Sequence, residues 1–244
     1  KMPKKFKIAF FELEQWERDY LQKKLKNCEL KFIDSSLTGK NAAQIKDADA
    51  IGVFIYSVVN KKILEKLPNL KFIAALSTGF EHIDLKECKK RKIAVCNVPH
   101  YGENTVAEHT FALILNLTRK IHRAYERTVR GDFSIEGLRG LDLQGKTVGV
   151  IGAGSIGQHV IRIAKGFEME VLAYDKFRNL KLAREMDFKY VNLDYLLKNS
   201  EIITLHVPYN KSTHHLIDKK AISKMKNRTI IINTARVAII ETSA

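Results

Sequence analysis

Apolar residues along this chain gather in short, nearly continuous runs, separated by stretches in which they recur every three or four positions. In the N-terminal part the runs cover 7–12, 30–33, 50–55, 70–76 and 94–98, and Val, Ile, Phe and Ala dominate them. A parallel strand covered by helices on both faces has no polar side, so it reads as a continuous apolar run. The amphipathic stretches between the runs, 15–25, 42–45, 61–66 and 85–91, predict helices. Regular alternation of the two element types predicts a doubly wound parallel sheet. The turn after the first run carries no glycine cradle, so this sheet is not expected to hold a nucleotide.

The pattern breaks at Asn97-Val-Pro99-His-Tyr-Gly102. It resumes as one long helical stretch from about 105 to 129, with Asn104 as its expected cap and Arg119, Lys120, Arg123 and Arg127 near its C-terminal end. A loop-like arm over 131–144 leads into further strand runs at 147–151, 171–175, 190–191, 202–205 and 229–233. A chain of 244 residues is long enough for two cores. The predicted class is therefore α/β, with two doubly wound parallel-sheet domains over 1–99 and 100–244.

The second domain opens on the most informative stretch. Thr147-Val-Gly-Val-Ile151 runs into Gly152-Ala-Gly154-Ser-Ile-Gly157, then a helical pattern, then Val171-Leu-Ala-Tyr-Asp175. Each part has a job in holding a dinucleotide. Gly152 turns the chain off the strand, Gly154 lets a pyrophosphate approach the backbone, and Gly157 lets the helix pack close to the sheet. The unpaired amides and dipole at the helix start favour phosphate charge. Asp175, ending the next strand, is placed to accept from a ribose 2′-OH and to repel a 2′-phosphate, which favours NAD over NADP. A glycine turn alone is weak evidence, and a turn without a ligand is the bland alternative. Strand, helix and acid at the expected spacing weigh against it.

Composition narrows the picture further. Hydrophobic residues make up 45% of the chain and charged ones 28%, as in a soluble globular protein. No apolar run nears the roughly 20 residues of a membrane helix, and residues 8–11 are too short for a signal-peptide core. Cys28, Cys88 and Cys96 are scattered without metal spacing, which fits free thiols in a reducing cytoplasm. A net charge of +15 raises nucleic acid as a partner. The lysines are spread along the whole chain with no aromatic-interleaved motif, so a solvated basic surface is the better reading.

Other candidates lie where strands end, the place at which open α/β sheets bind ligands. The amides of Ser77-Thr78-Gly79 are able to hold a carboxylate, although the segment is equally readable as a plain turn. His206-Val207-Pro208 follows a strand at the expected wall of the adenosine end. Asn233-Thr-Ala-Arg236 follows the last strand, and an arginine there can clamp a carboxylate bidentately and polarise a carbonyl.

Taken in order, several stretches resemble the NAD-dependent D-2-hydroxyacid dehydrogenases, and within that family the D-lactate dehydrogenases. They are Leu76-Ser-Thr-Gly-Phe-Glu-His-Ile-Asp84, the segment from Asn97 to His109, 140–145, the glycine motif, Ser200 to Pro208, Thr213-His-His-Leu-Ile217, and Met225 to Arg236. The resemblance implies a flavodoxin-like substrate domain followed by a Rossmann NAD-binding domain. It implies NAD as cofactor, a small 2-keto or 2-hydroxy acid such as pyruvate as substrate, and a homodimer through the long helix after Tyr101. By the same resemblance Ser155 and Ile156 contact the pyrophosphate, Asp175 the ribose, and His206, Val207 and Pro208 line the adenosine pocket. Thr213 lies near the phosphates, Thr234 and Ala235 beside the nicotinamide riboside. Arg236 is the catalytic, substrate-binding arginine, the backbone of Thr78 and Gly79 holds the substrate carboxylate, and Tyr101 and Tyr56 close over the substrate.

Two departures stand out. Val237 occupies a position where the family has glycine, and a β-branched residue tolerates positive φ poorly. The family's proton-donating histidine and its glutamate lie downstream of the arginine, and nothing here corresponds to them. The second sheet is thus expected to be truncated, the 244 residues to be part of a longer enzyme, and the chain alone to be inactive. Of the histidines present, His100 is the one plausible stand-in. Two rival readings remain: a non-catalytic NAD(H)-sensing scaffold, as in corepressor relatives, and a dehydrogenase of another 2-hydroxy acid.

Overall fold

The computed structural model describes residues 5–244. The chain forms two compact units that divide between Tyr101 and Gly102.

The first unit runs β1 (Phe6–Phe11), α1 (Gln15–Lys24), β2 (Cys28–Ile33), a 3-10 turn (Ala42–Ile45), β3 (Ala50–Val53), α2 (Lys61–Leu64), β4 (Phe72–Ala75), α3 (Leu85–Lys90) and β5 (Ala94–Cys96). Its sheet is all parallel in the order β2-β1-β3-β4-β5, the flavodoxin-like arrangement. Phe11, Ile51, Ile73 and Leu64 are fully buried at the centre of its core. The apolar runs thus become strands within two residues of where the pattern placed them. The stretch 42–45 is a 3-10 turn rather than an α-helix.

The second unit runs α4 (Glu103–Thr118), α5 (Ile121–Val129), β6 (Thr147–Ile151), α6 (Ser155–Gly166), β7 (Glu170–Tyr174), α7 (Leu180–Glu185), β8 (Lys189–Tyr190), α8 (Leu193–Asn199), β9 (Ile202–Leu205), α9 (Lys219–Ile222) and β10 (Ile230–Asn233). The parallel sheet is ordered β10-β9-β6-β7-β8. Counted from β6 this is 3-2-1-4-5, the dinucleotide-binding winding, and its direction reverses between β6 and β9. Core residues alternate along β6: Val148 and Val150 belong to one cluster, Ile151 to the other. Both faces are therefore covered, as a continuous apolar run requires.

The single helix over 105–129 is corrected by the structure. α4 ends at Thr118, Lys120 takes a left-handed φ of 53°, and α5 starts afresh at Ile121. The cause lies in the returning arm. Leu141 donates its amide to the Thr118 carbonyl at 2.9 Å, and a Cβ on Gly140 would sit 2.3 Å from that same oxygen. Asn116 Oδ1 accepts the His122 amide at 3.1 Å and steadies the break. The cap is also shifted: Gly102 precedes the first turn, and Asn104 lies inside it with its side chain bonded to Glu108. Among the described residues no helix is long and apolar enough to cross a membrane.

Candidate dinucleotide and substrate sites

At the mouth of the second sheet, β6 hands the chain to Gly152 at φ 98°, a conformation that L side chains rarely adopt. A Cβ there would lie 2.7 Å from the His206 carbonyl carbon, so glycine is what lets the turn pass the β9 exit. A Cβ on Gly157 would sit 2.0 Å from the Gly152 oxygen, which locks α6 against the turn. Gly154 differs from both. Nothing lies within 4 Å of its added Cβ, and it caps α6 without a side-chain acceptor. The first amides of α6, including those of Ser155 and Ile156, have no intrahelical partner, and the space beside Gly154 is open. That combination fits a diphosphate: bare backbone, oriented N–H groups and the positive end of a 12-residue helix.

Asp175 follows β7 directly. Its Oδ2 accepts the Ala153 amide at 2.8 Å and its Oδ1 the Phe177 amide at 2.9 Å. The acid therefore holds the glycine turn in place. Each carboxylate oxygen keeps a further lone pair, so Asp175 can still accept from a ribose hydroxyl.

His206, Val207 and Pro208 leave β9 beside this turn, and the His206 amide donates to the Ile151 carbonyl at 2.7 Å. The imidazole is largely buried, which pushes its pKa down to about 4, and among the described residues Nε2 has no hydrogen-bond partner. Thr213 sits in the loop beyond. Its hydroxyl donates to the Pro208 carbonyl at 2.7 Å and accepts the Asn210 amide at 2.8 Å, so it closes its own loop.

Beyond β10, Asn233 Oδ1 accepts the Ala235 amide at 3.0 Å while its Nδ2 donates to the Arg236 carbonyl at 3.0 Å. Asn233 was not among the expected site residues; an Asn at a strand exit, a habitual turn-maker, was the available signal. Its turn presents Thr234, Ala235 and an exposed Arg236 at the strand end. Val237 opens a 3-10 turn and is not among the residues of positive φ. The concern raised by its β-branch is thereby removed: valine sits there without backbone strain.

In the first unit, Tyr56 and Thr78-Gly79 lie just past the C-terminal ends of β3 and β4, on one edge of that sheet. Thr78 donates its hydroxyl to the Val98 carbonyl at 3.0 Å, and Asn97 Nδ2 donates to the Thr78 carbonyl at 2.8 Å. Ser77, nearly fully buried, donates to the Gly79 carbonyl at 2.8 Å. These bonds occupy carbonyls and hydroxyls. The Tyr56 loop is held by Glu12, which the sequence pattern did not single out. Glu12 takes φ 63° after β1, accepts the amides of Phe54 at 3.3 Å and Tyr56 at 3.0 Å, and binds the Ser57 hydroxyl. His82 is half-buried; burial pushes its pKa down, against the pull of Glu12 and Glu81. Tyr101 and His100 are exposed where the unit ends. Among the described residues no group of three or more His, Cys, Asp or Glu side chains is arranged to hold a metal ion.

Comparison with known proteins agrees with this geometry. The family model described as D-isomer specific 2-hydroxyacid dehydrogenase, NAD binding domain, matches residues 111–244. A 2-hydroxyacid dehydrogenase homolog of Haemophilus influenzae is 40% identical over 242 residues, covering 98% of this chain and 73% of that protein. The D-lactate dehydrogenase of Escherichia coli is 38% identical over the same shares. Its apo-structure superposes with a TM-score of 0.88, covering 98% of this chain and 77% of that one. The Aquifex aeolicus D-lactate dehydrogenase complexed with NAD and lactic acid gives 0.89 at 39% identity, covering 97% of this chain and 71% of that one.

Proposed function

This chain belongs to the D-isomer specific 2-hydroxyacid dehydrogenase family, an NAD-dependent oxidoreductase family, and we propose that its substrate pair is D-lactate and pyruvate. The observation that supports this most is likeness along 98% of the chain to a D-lactate dehydrogenase at 38% identity. A glyoxylate reductase from Thermococcus litoralis at 36% and an aromatic 2-oxoacid reductase from Clostridium sporogenes at 40% match shorter stretches, 82% and 84% of the chain.

NAD, when bound, carries the hydride; the chain's own residues bind and orient. In this reading residues 1–99 form the substrate-binding part and 100–244 the NAD-binding part. Gly152, Gly154, Ser155, Ile156 and Gly157 cradle the diphosphate and Asp175 accepts from the ribose. His206, Val207 and Pro208 wall the adenosine side, with Thr213 nearby. Thr234 and Ala235 flank the nicotinamide riboside. Arg236 pairs with the substrate carboxylate and polarises the adjacent carbonyl oxygen, as a charged, bidentate fork can. In the first unit the amides of Thr78 and Gly79 are proposed to hold a substrate carboxylate, and Tyr56 and Tyr101 to border the substrate. Free thiols at Cys28, Cys88 and Cys96 support a reducing, cytoplasmic setting. The scaffold alternative drew on Val237 and on the lack of a counterpart to the family's histidine and glutamate; the unstrained backbone at Val237 removes the first of these supports.

The test is NADH oxidation by the protein, followed by absorbance, with pyruvate, glyoxylate, branched and aromatic 2-keto acids. Preference for pyruvate in kcat/KM is expected. A preference for a larger acid by tenfold or more would replace the substrate, and no turnover with any would defeat the reading.

A further inference from the structure

Three side chains of the second unit form a line beneath the exits of β9 and β10. The hydroxyl of Thr110, fully buried on α4, lies 2.8 Å from the Val106 carbonyl and 3.1 Å from the Thr234 hydroxyl. Thr234 Oγ1 lies 3.5 Å from His206 Nδ1. At the far side of the ring, Nε2 is buried and has no hydrogen-bond partner among the described residues.

Counting protons sets the direction of this line. Each hydroxyl owns one proton, and a neutral imidazole owns one between its two nitrogens. The Val106 carbonyl can only accept, so the Thr110 proton points to it. Thr234 must then donate to Thr110. With its proton so placed, Thr234 can only accept from His206, and the imidazole proton belongs on Nδ1. Burial keeps the ring neutral near pH 7, so Nε2 is left as a bare acceptor. A buried acceptor without a donor is unfavourable, and native proteins rarely keep one without a use.

His206 borders the glycine turn: the nearest atom to a Cβ on Gly152 is the His206 carbonyl carbon. We propose that Thr110 is a positioning residue for the cofactor. Through Thr234 it fixes His206 in the Nδ1–H tautomer and so reserves Nε2 to accept a hydrogen bond from an O–H or N–H donor of the bound dinucleotide. The ribose hydroxyls and the adenine and carboxamide amino groups supply donors of that kind. This inference rests on placing His206 in the wall of the dinucleotide site.

Nitrogen-15 NMR of the histidine rings in the wild-type protein at pH 7.5 tests it. Without NADH the His206 proton is expected on Nδ1. Saturating NADH should move the Nε2 signal in the direction of an accepted hydrogen bond while Nδ1 stays protonated. Thr110→Val removes the acceptor for Thr234, so the Nε2–H form should gain population and the NADH dissociation constant should rise five- to tenfold. Thr110→Ser keeps the hydroxyl and should restore both readouts, which a purely structural role for the threonine would not require. An Nε2–H tautomer in the free wild-type protein overturns the proposal. So does an Nε2 signal unmoved by bound NADH, or a Thr110→Val variant with unchanged tautomer and affinity within twofold. Binding with an unmoved signal would leave the dinucleotide site standing. Absence of any NADH binding would overturn both.

Discussion

Asp175 and Ala153 are joined by a 2.8 Å hydrogen bond, carboxylate to backbone amide, across the sequence distance that separates the glycine turn from the end of β7. The side chain proposed to accept from the ribose thus also holds the glycine turn proposed to carry the diphosphate. In that reading specificity and turn geometry are coupled in one carboxylate.

Substituting Asp175 should thus do two things at once. Asp175→Ala is expected to weaken NADH binding about 10- to 100-fold, as loss of a charge-assisted hydrogen bond of about 1.5–3 kcal/mol predicts. NADPH binding should fall much less, because repulsion of the 2′-phosphate is removed. The melting temperature should drop as well, since the Ala153 and Phe177 amides lose their acceptor. Paired NADH and NADPH titrations with thermal melts check this. An unchanged NADH-to-NADPH ratio would show that the acid does not face the ribose.

The three glycines separate folding from binding. Gly152→Ala meets the His206 backbone at 2.7 Å in a left-handed conformation, and Gly157→Ala meets the Gly152 oxygen at 2.0 Å. Both should destabilise the second unit by about 1–3 kcal/mol or more. Gly154→Ala meets nothing. It should cost at most about 1 kcal/mol as a poorer helix cap, yet impair NADH binding, because the methyl occupies the space assigned to phosphate. If Gly154→Ala binds NADH as the wild type does, the diphosphate lies elsewhere.

Much of this fold is legible in the sequence. The central strands β1, β3, β6 and β9 stand out because buried parallel strands are apolar nearly throughout, and the glycine spacing carries its own geometry. The helix break at Arg119 and Lys120 did not stand out. No glycine or proline marks it; Leu141 and Gly140, returning from the arm, impose it. Glu12 reads locally as the polar end of a strand. Its role depends on amides 42 and 44 residues further on. Thr110 and Thr234 are 124 residues apart, and only the packing of α4 on β10 brings their hydroxyls together. Local pattern predicts elements well. Polar partnerships between distant elements are set by tertiary packing.

Acid should weaken the fold through His206. An unfolded imidazole titrates near about 6.5, whereas burial holds the folded one down at about 4. The unfolded chain therefore binds the proton more readily. Stability is full above about pH 6.5 and falls as the pH drops toward 4, by about 1.4 kcal/mol per unit for this group. His82, pushed down by burial too, acts in the same direction. Urea unfolding at pH 7.5 and 5.0 should show the wild type losing about 2 kcal/mol more than His206→Gln over that interval. Parallel losses in the two proteins would mean that His206 is solvated in the folded state.

Self-association should depend on α5. Ile121, Tyr125 and Val129 recur every four residues, so they share one face of the helix, and all three are more than half exposed. Phe133 and Ile135 on the arm that follows are 79% and 85% exposed. α5 buries none of its residues in the second unit, so this stripe contributes nothing to the core. Contiguous apolar surface of this kind marks an interface more often than a solvated face. A homodimer that pairs this helix with a second copy is the expected occupant. The double substitution Tyr125→Glu and Val129→Glu should then yield a monomer in sedimentation velocity with an unaltered circular dichroism spectrum, because neither side chain supports the fold. A wild type that sediments as a monomer at tens of micromolar, well above the Kd of a stable dimer, would remove the dimer, and the stripe would need another partner.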